Sequence, residues 1–253
     1  MPSLLLDERS LSTSSSRGVV EGAGGIAGAY SKQRVAAKGS MTKEPCMGDS
    51  EANETHAGRM RGPSCHFTAM VLAGGKSTRM GRDKAWLEVE GEPLISRQVA
   101  LVKGLDPEAI FISGPAVKAF QGLGVPVVSD RFAGQGPLAG IERGLDLMPS
   151  PLLLVLAVDM PYMNAAVLRR LLQHVSGQTG VVPVVAGRVE PLAAIYPKSA
   201  LASARTFLEE GCRSATQFAE WTIHLGITRR LSMPEAAWPA FTNWNTPADL
   251  KQG

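Results

Sequence analysis

Leu152-Leu153-Leu154-Val155-Leu156-Ala157-Val158 is a run of seven apolar residues with no polar alternation. A strand with one face in water alternates apolar and polar residues, so an unbroken run belongs at the centre of a sheet covered on both faces. The rest of the chain carries the matching pattern. Phe67 to Ala73 reads as a first strand, and Leu94 to Lys103 as a helix with Leu94, Ile95, Val99, Leu101 and Val102 as its apolar positions. Ile110 to Ile112 and Val125 to Val128 read as the second and third strands, residues 138–147 as a helix, and the seven-residue run as the fourth strand. Asn164 can cap a helix that runs to Val175. Val181 to Val185 and Leu192 to Tyr196 then read as strands and Ala200 to Leu208 as a helix. Thr246-Pro247 opens a short last helix, where proline costs nothing because the first helical N–H has no intrahelical partner. Short strands alternating with helices specify an α/β fold, a Rossmann-like and mostly parallel doubly wound sheet.

Residues 1–66 do not share this pattern. They are rich in Gly, Ser and Ala, carry 8 Lys/Arg against 7 Asp/Glu, and show no sustained apolar period. The expectation is a disordered N-terminal extension, followed by one folded domain over residues 67–253. Gly22-Ala23-Gly24-Gly25-Ile26-Ala27 fits a dinucleotide-binding fingerprint, but only Val19 and Val20 precede it as strand and no apolar helix follows, so it reads as a chance match.

Composition removes several function classes. A net charge of +3 with no Lys/Arg run argues against a nucleic-acid partner. No apolar run approaches the ~18 residues of a membrane span. Cys46, Cys65 and Cys212 lie far apart without a Cys-x-x-Cys pair, so free thiols in a reducing, cytoplasmic setting are expected rather than disulfides or zinc. His174, read on a helix, and His224, read in a strand, stand beside no plausible nucleophile, and His56 and His66 fall in or beside the N-terminal extension, so no Ser/His/Asp or Cys/His arrangement is indicated.

Chemistry concentrates at the carboxyl ends of the strands. Leu72-Ala73-Gly74-Gly75-Lys76-Ser77-Thr78-Arg79-Met80-Gly81-Arg82-Asp83-Lys84 follows the first strand directly. In a wound sheet ligands bind outside those ends, where paired glycines let backbone N–H groups approach an anion and Lys76, Arg79, Arg82 and Lys84 add cations. It is not a Walker A loop, because the glycine that motif needs five residues before Gly75 is Met70. Asp159 lies immediately past the central strand. Mg²⁺ prefers one or two carboxylates plus phosphate oxygens and waters, so a lone acid there suffices as an anchor, the alternative being a turn or cap aspartate. Asp130 follows the third strand and precedes Gly134-Gln135-Gly136-Pro137, whose helix start suits a base or ribose edge. Asn243 and Asn245 share a face if their segment is extended, offering amides to a polar heterocycle, or they serve as turn residues. Glu190-Pro191-Leu192 reads equally well as a structural or a functional element.

Taken together, Leu72-Ala73-Gly74-Gly75-x-Ser77-x-Arg79-Met80-Gly81-x-Asp83-Lys84, Asp130-x-x-x-Gly134-x-Gly136-Pro137-Leu138-Ala139-Gly140, Asp159-Met160-Pro161 and Asn243-x-Asn245-Thr246-Pro247-x-Asp249-Leu250 resemble the molybdenum cofactor guanylyltransferases, a MobA-like nucleotidyltransferase family. The resemblance covers residues 67–251. It implies transfer of GMP from Mg-GTP to molybdenum-molybdopterin, giving the guanine dinucleotide cofactor and pyrophosphate, with Mg²⁺ as cofactor. Other readings it leaves open are a related enzyme using CTP or another phosphate acceptor, and a silent GTP-binding module that delivers cofactor. It further implies that Leu72, Ala73, Gly74, Gly75 and Lys84 bind the nucleotide, and that Arg79 meets the triphosphate. Asp130 would contact the guanosine, Asp159 would hold Mg²⁺ and nucleotide, and Asn243 and Asn245 would face the pterin. Lys84, Arg79 and Asp159 are thus the candidate catalytic residues, and molybdenum-insertion and molybdoenzyme chaperone proteins the candidate protein partners. Family members often carry Asn at the end of the second strand, where this chain has Ser113.

Overall fold

The computed structural model describes residues 65–74, 84–114 and 118–244. The stretch 1–64, the loop residues Gly75 and Arg79, Asn245 and the Thr246-Pro247 helix therefore lie outside the described residues. In chain order the regular elements are β1 (Phe67–Leu72), β2 (Glu88–Val89), β3 (Glu92–Pro93), α1 (Leu94–Lys103), β4 (Ala109–Ser113), β5 (Val127–Val128), α2 (Pro137–Leu147) and β6 (Leu152–Ala157). They continue as α3 (Ala165–Gln173), β7 (Gly180–Val185), β8 (Arg188–Val189), β9 (Ala193–Pro197), α4 (Leu201–Glu209), α5 (Ala215–His224) and β10 (Thr228–Ser232).

The main sheet runs β10-β7-β9-β6-β1-β4-β5, with β8 added to β7. β5, β4, β1 and β6 are parallel, as the unbroken apolar runs require, and β1 and β6 are buried along their whole length. Two described strands run against this direction: β9 is antiparallel to both β6 and β7, and the short β8 is antiparallel to β7. A parallel strand needs a long crossover, whereas β8 and β9 follow β7 through short connections and so can return only antiparallel.

Alternate residues of the central strands feed two separate cores. Ala69, Val71, Leu154 and Leu156 face α1 and α3, packing with Leu94, Ile95, Val99, Val102, Leu168 and Leu171. Met70, Leu72, Leu153 and Val155 face the opposite way, against Leu138, Ile141 and Leu145 of α2 and Phe207 and Phe218 of α4 and α5. This is the period of two along a strand meeting helices on both sides. Thr68 of β1 is a polar residue inside it, fully buried, with its hydroxyl bonded to the Ser150 hydroxyl at 2.7 Å.

One reading from the sequence is corrected. His224 does not stand in a strand; it is the last residue of α5, a helix opened by Ser214, whose side chain accepts from the Gln217 N–H. The segment carries apolar residues at helical spacing, Phe218, Ala219 and Thr222 being buried, and that period prevails over the β-forming Thr222-Ile223 pair. The Asn164 cap of α3 is as expected, its side chain accepting from the Val167 N–H at 3.1 Å. No described helix is long and apolar enough to cross a membrane.

Candidate active site

Chain order along the sheet goes outward from β1 to β4 and β5 and then returns to β6 on the other side of β1. That reversal opens a crevice beyond the carboxyl ends of these strands, the place where wound sheets bind ligands. Backbone bonds weld the rim together. Ala73 N donates to Ser113 O at 2.8 Å, Val158 N to Leu72 O at 3.0 Å, and Gly114 N to Val128 O at 3.2 Å. The amide of Ala73 is thereby committed to the sheet, so amide groups turned towards an anion begin at Gly74. A Cβ on Gly74 would stand 3.6 Å from the Gly114 Cα, so the two loops touch backbone to backbone.

Across this rim Lys84 and Asp159 meet, with Nζ 3.1 Å from Oδ2 and each side chain only 21% exposed. Lys84 starts a single 3-10 turn, Lys84–Trp86, whose following residues act as anchors. Ala85 and Leu87 are buried, and the Trp86 ring stacks on buried Phe120 with centroids 5.5 Å apart. Asp159 is held through its own backbone: its carbonyl accepts from Trp244 N at 2.9 Å, and the next carbonyl, of Met160, accepts from the Gln98 amide at 2.6 Å. A lone carboxylate at this rim fits Mg²⁺ completed by phosphate oxygens and waters rather than by a protein cage. Among the described residues no group of three or more His, Cys, Asp or Glu could hold a metal.

Asp130 is fixed by Ser113, whose hydroxyl donates to Oδ1 at 2.6 Å. The serine is itself fitted against α2: a Cβ on Gly140 would fall 2.6 Å from the Ser113 Oγ, so that helix can approach the strand ends only with glycine there. Gly134 and Gly136, both at φ 74°, turn the preceding loop in a region L side chains avoid and start α2 without a side-chain cap. The neighbouring Arg131 reaches Asp146 at 3.7 Å and the fully buried Glu142 at 3.9 Å, and Arg205 of α4 donates to Glu142 at 2.8 Å. The loop carrying Asp130 is in this way tied to α2, and α2 to α4.

Burial pushes the Asp130 carboxyl above its ordinary range, while the Ser113 hydroxyl and the charge of Arg143 pull it back. A carboxylate whose folded pKa is raised contributes its stability at low pH and loses it as pH rises through that range, so the ionised form strains the fold at neutrality. Asp130→Asn, which keeps an oxygen for Ser113, is expected to melt about 1–3 °C higher than wild type at pH 7. The difference should vanish near pH 3, and thermal melts at the two pH values check it; a lower melting temperature at pH 7 would contradict the sign.

Of the sequence-identified residues, Leu72, Ala73, Gly74, Lys84, Asp130 and Asp159 gather at one rim, and Asn243 lies beside it through the Trp244–Asp159 backbone bond. Gly75, Arg79 and Asn245 are outside the described residues. Two supports went unread. Gln98 is 1% exposed on the apolar face of α1, and a lone amide at a core position of a helix is a usable signal. Trp244, next to Asn243, is 4% exposed and meets Tyr162 edge to face at 6.1 Å, so it anchors the stretch that carries Asn243.

A wound sheet with Gly74, Lys84 and Asp159 gathered at its switch point fits a nucleotidyltransferase-type α/β protein. The chain matches the model of the MobA-like NTP transferase domain over residues 69–224, and it belongs to that family. A protein of Opitutus terrae named "Probable molybdenum cofactor guanylyltransferase" is 40% identical over 182 residues, spanning 71% of this chain and 90% of its own. One of the same name from Pelotomaculum thermopropionicum is 34% identical over 184 residues, covering 72% and 89%. Among solved structures, molybdopterin-guanine dinucleotide biosynthesis protein A from Archaeoglobus fulgidus superposes with a TM-score of 0.57 at 23% identity, covering 73% of this chain and 95% of its own. The 2-C-methyl-D-erythritol 4-phosphate cytidylyltransferase of Thermus thermophilus gives 0.57 at 20% identity, covering 74% and 96%. At those identities the two structures speak for the fold.

Proposed function

We propose that this chain transfers GMP from Mg-GTP to molybdenum-loaded molybdopterin, releasing pyrophosphate and forming the guanine dinucleotide cofactor. The observation that carries the reading is the Lys84–Asp159 pair at 3.1 Å on the rim that begins at Leu72-Ala73-Gly74. The names of the relatives support guanylyl transfer over cytidylyl transfer. In this reading an oxygen of the acceptor's terminal phosphate attacks the α-phosphorus while the bond to the β-phosphate breaks, so no protein base is required. Positioning and charge neutralisation carry the reaction.

Leu72, Ala73, Gly74 and Gly75 shape the nucleotide cradle, Asp130 meets the guanosine, and Arg79 reaches the triphosphate. Lys84 is drawn towards the charge that builds on the phosphates as the bond breaks. Asp159 orients Lys84 and serves as the anchor for Mg²⁺; when bound, the ion supplies further charge neutralisation at the phosphates. Asn243 and Asn245 face the acceptor. The test is direct: purified full-length protein with Mg-GTP and molybdopterin should form the guanine dinucleotide and pyrophosphate in equal amounts. Formation of the cytosine dinucleotide from Mg-CTP at an equal or higher kcat/KM would refute the guanine assignment.

A further inference from the structure

The connection between β8 and β9 carries a carboxylate that the reaction above does not use. Glu190 lines a cleft of about 530 Å³ together with Met160, Arg188, Leu192, Thr216 and Asn243. The cleft opens beside the catalytic rim, because Met160 follows Asp159 and Asn243 precedes the tryptophan bonded to the Asp159 carbonyl. The Glu190 segment is rigid. Glu190 N donates to Pro183 O at 2.9 Å, the fully buried Tyr196 hydroxyl to Pro191 O at 2.9 Å, and Ala157 N to Leu192 O at 2.8 Å.

Two acceptors in the lining of this cleft lack donors among the described residues. Asn243 Oδ1 is buried and has no hydrogen-bond partner. The half-buried Glu190 carboxylate has Arg188 as its electrostatic neighbour and, among the described residues, no hydrogen-bond donor. Glu220, which also borders the cleft, is by contrast paired with Arg230. Acceptors held rigid without donors favour a ligand edge that presents N–H groups. The 2-amino-4-oxopyrimidine edge of a pterin offers its 2-amino and N3–H donors side by side, at the spacing of the two oxygens of one carboxylate.

We propose that Glu190 reads this edge of the acceptor and so selects a pterin from other phosphate-bearing acceptors. The proposal rests on molybdopterin being the acceptor. Burial raises the Glu190 pKa and Arg188 holds it down, so the carboxylate carries a desolvation cost that two ligand donors would offset.

The test titrates the full chain with two fluorescent probes, 6-hydroxymethylpterin and its 2-oxo analogue 6-hydroxymethyllumazine. Wild type should prefer the pterin by at least about 10-fold, since a charged hydrogen bond is lost and an acceptor is turned on the carboxylate. Glu190→Gln should reduce the preference to within about 3-fold, because a carboxamide can donate to the 2-oxo group. Glu190→Asp, the conservative variant, should keep the preference at weaker affinity, and melting curves identify any variant that has not folded. An unaltered preference in folded Glu190→Gln overturns the role of Glu190 and leaves the molybdopterin reading standing. Absence of pterin binding by wild type, or loss of the preference in folded Glu190→Asp but not in Glu190→Gln, overturns the proposal, and the former removes the acceptor assignment with it.

Discussion

Asp159→Ala is expected to lower guanylyl transfer by ~10³-fold, equivalent to about 4 kcal/mol of transition-state stabilisation, while the fold remains intact. The effect is large because this carboxylate does two things at once: it fixes Lys84 at 3.1 Å, and it is the candidate anchor for the metal that accompanies the triphosphate. Stability should change little. Asp159 stands past the end of β6, its side chain is part-exposed, and the bonds that hold the segment run through its backbone carbonyl and that of Met160. Asp159→Asn separates the two tasks, keeping shape and losing charge, and should be nearly as impaired. Single-turnover rates with Mg-GTP, read beside melting curves, give the comparison. A variant with near-normal rates would remove Asp159 from the reaction.

Gly180→Ala should do the reverse, costing about 3 kcal/mol of stability and lowering the melting temperature by roughly 6–12 °C. A Cβ at this position would fall 2.2 Å from the carbonyl oxygen of Ile195 and 3.0 Å from its carbonyl carbon, atoms of the neighbouring strand that cannot rotate away. The residue begins β7, and β7 runs in the same direction as β6, so Gly180 lies at the edge opposite the site. Molecules that remain folded at 20 °C should therefore transfer GMP at the wild-type rate. An unchanged melting temperature would show that β7 and β9 do not pack as closely as their Val181–Ile195 pairing requires.

The residues that were readable in advance are those whose local chemistry is repetitive. β1 and β6 stood out as unbroken apolar runs, and α1 and α3 as amphipathic periods with a cap at Asn164. Lys84, Asp130 and Asp159 were legible because strand-to-helix order places all of them after carboxyl ends. α5 and β10 were not, since α5 mixes β-branched and aromatic residues and β10, Thr228–Ser232, has a charged, largely exposed sequence. Gln98 and Trp244 escaped notice for another reason. Their value lies in a contact with Met160 and Asp159, and nothing near them in the chain announces that partner. Ser113 takes its meaning in the same way, from the bond to Asp130 and the close fit against Gly140.

The order and spacing of apolar runs, glycines and acids were enough to specify a wound α/β sheet and the family to which the chain belongs. Those properties are local and periodic, so a linear reading captures them. The direction of β9, the meeting of Lys84 with Asp159, and the cleft that joins Glu190 to the unpartnered Asn243 oxygen came only with the tertiary structure. Each depends on residues tens of positions apart being brought within a few ångströms, and on which polar atoms are left without partners once the backbone has taken its share of hydrogen bonds.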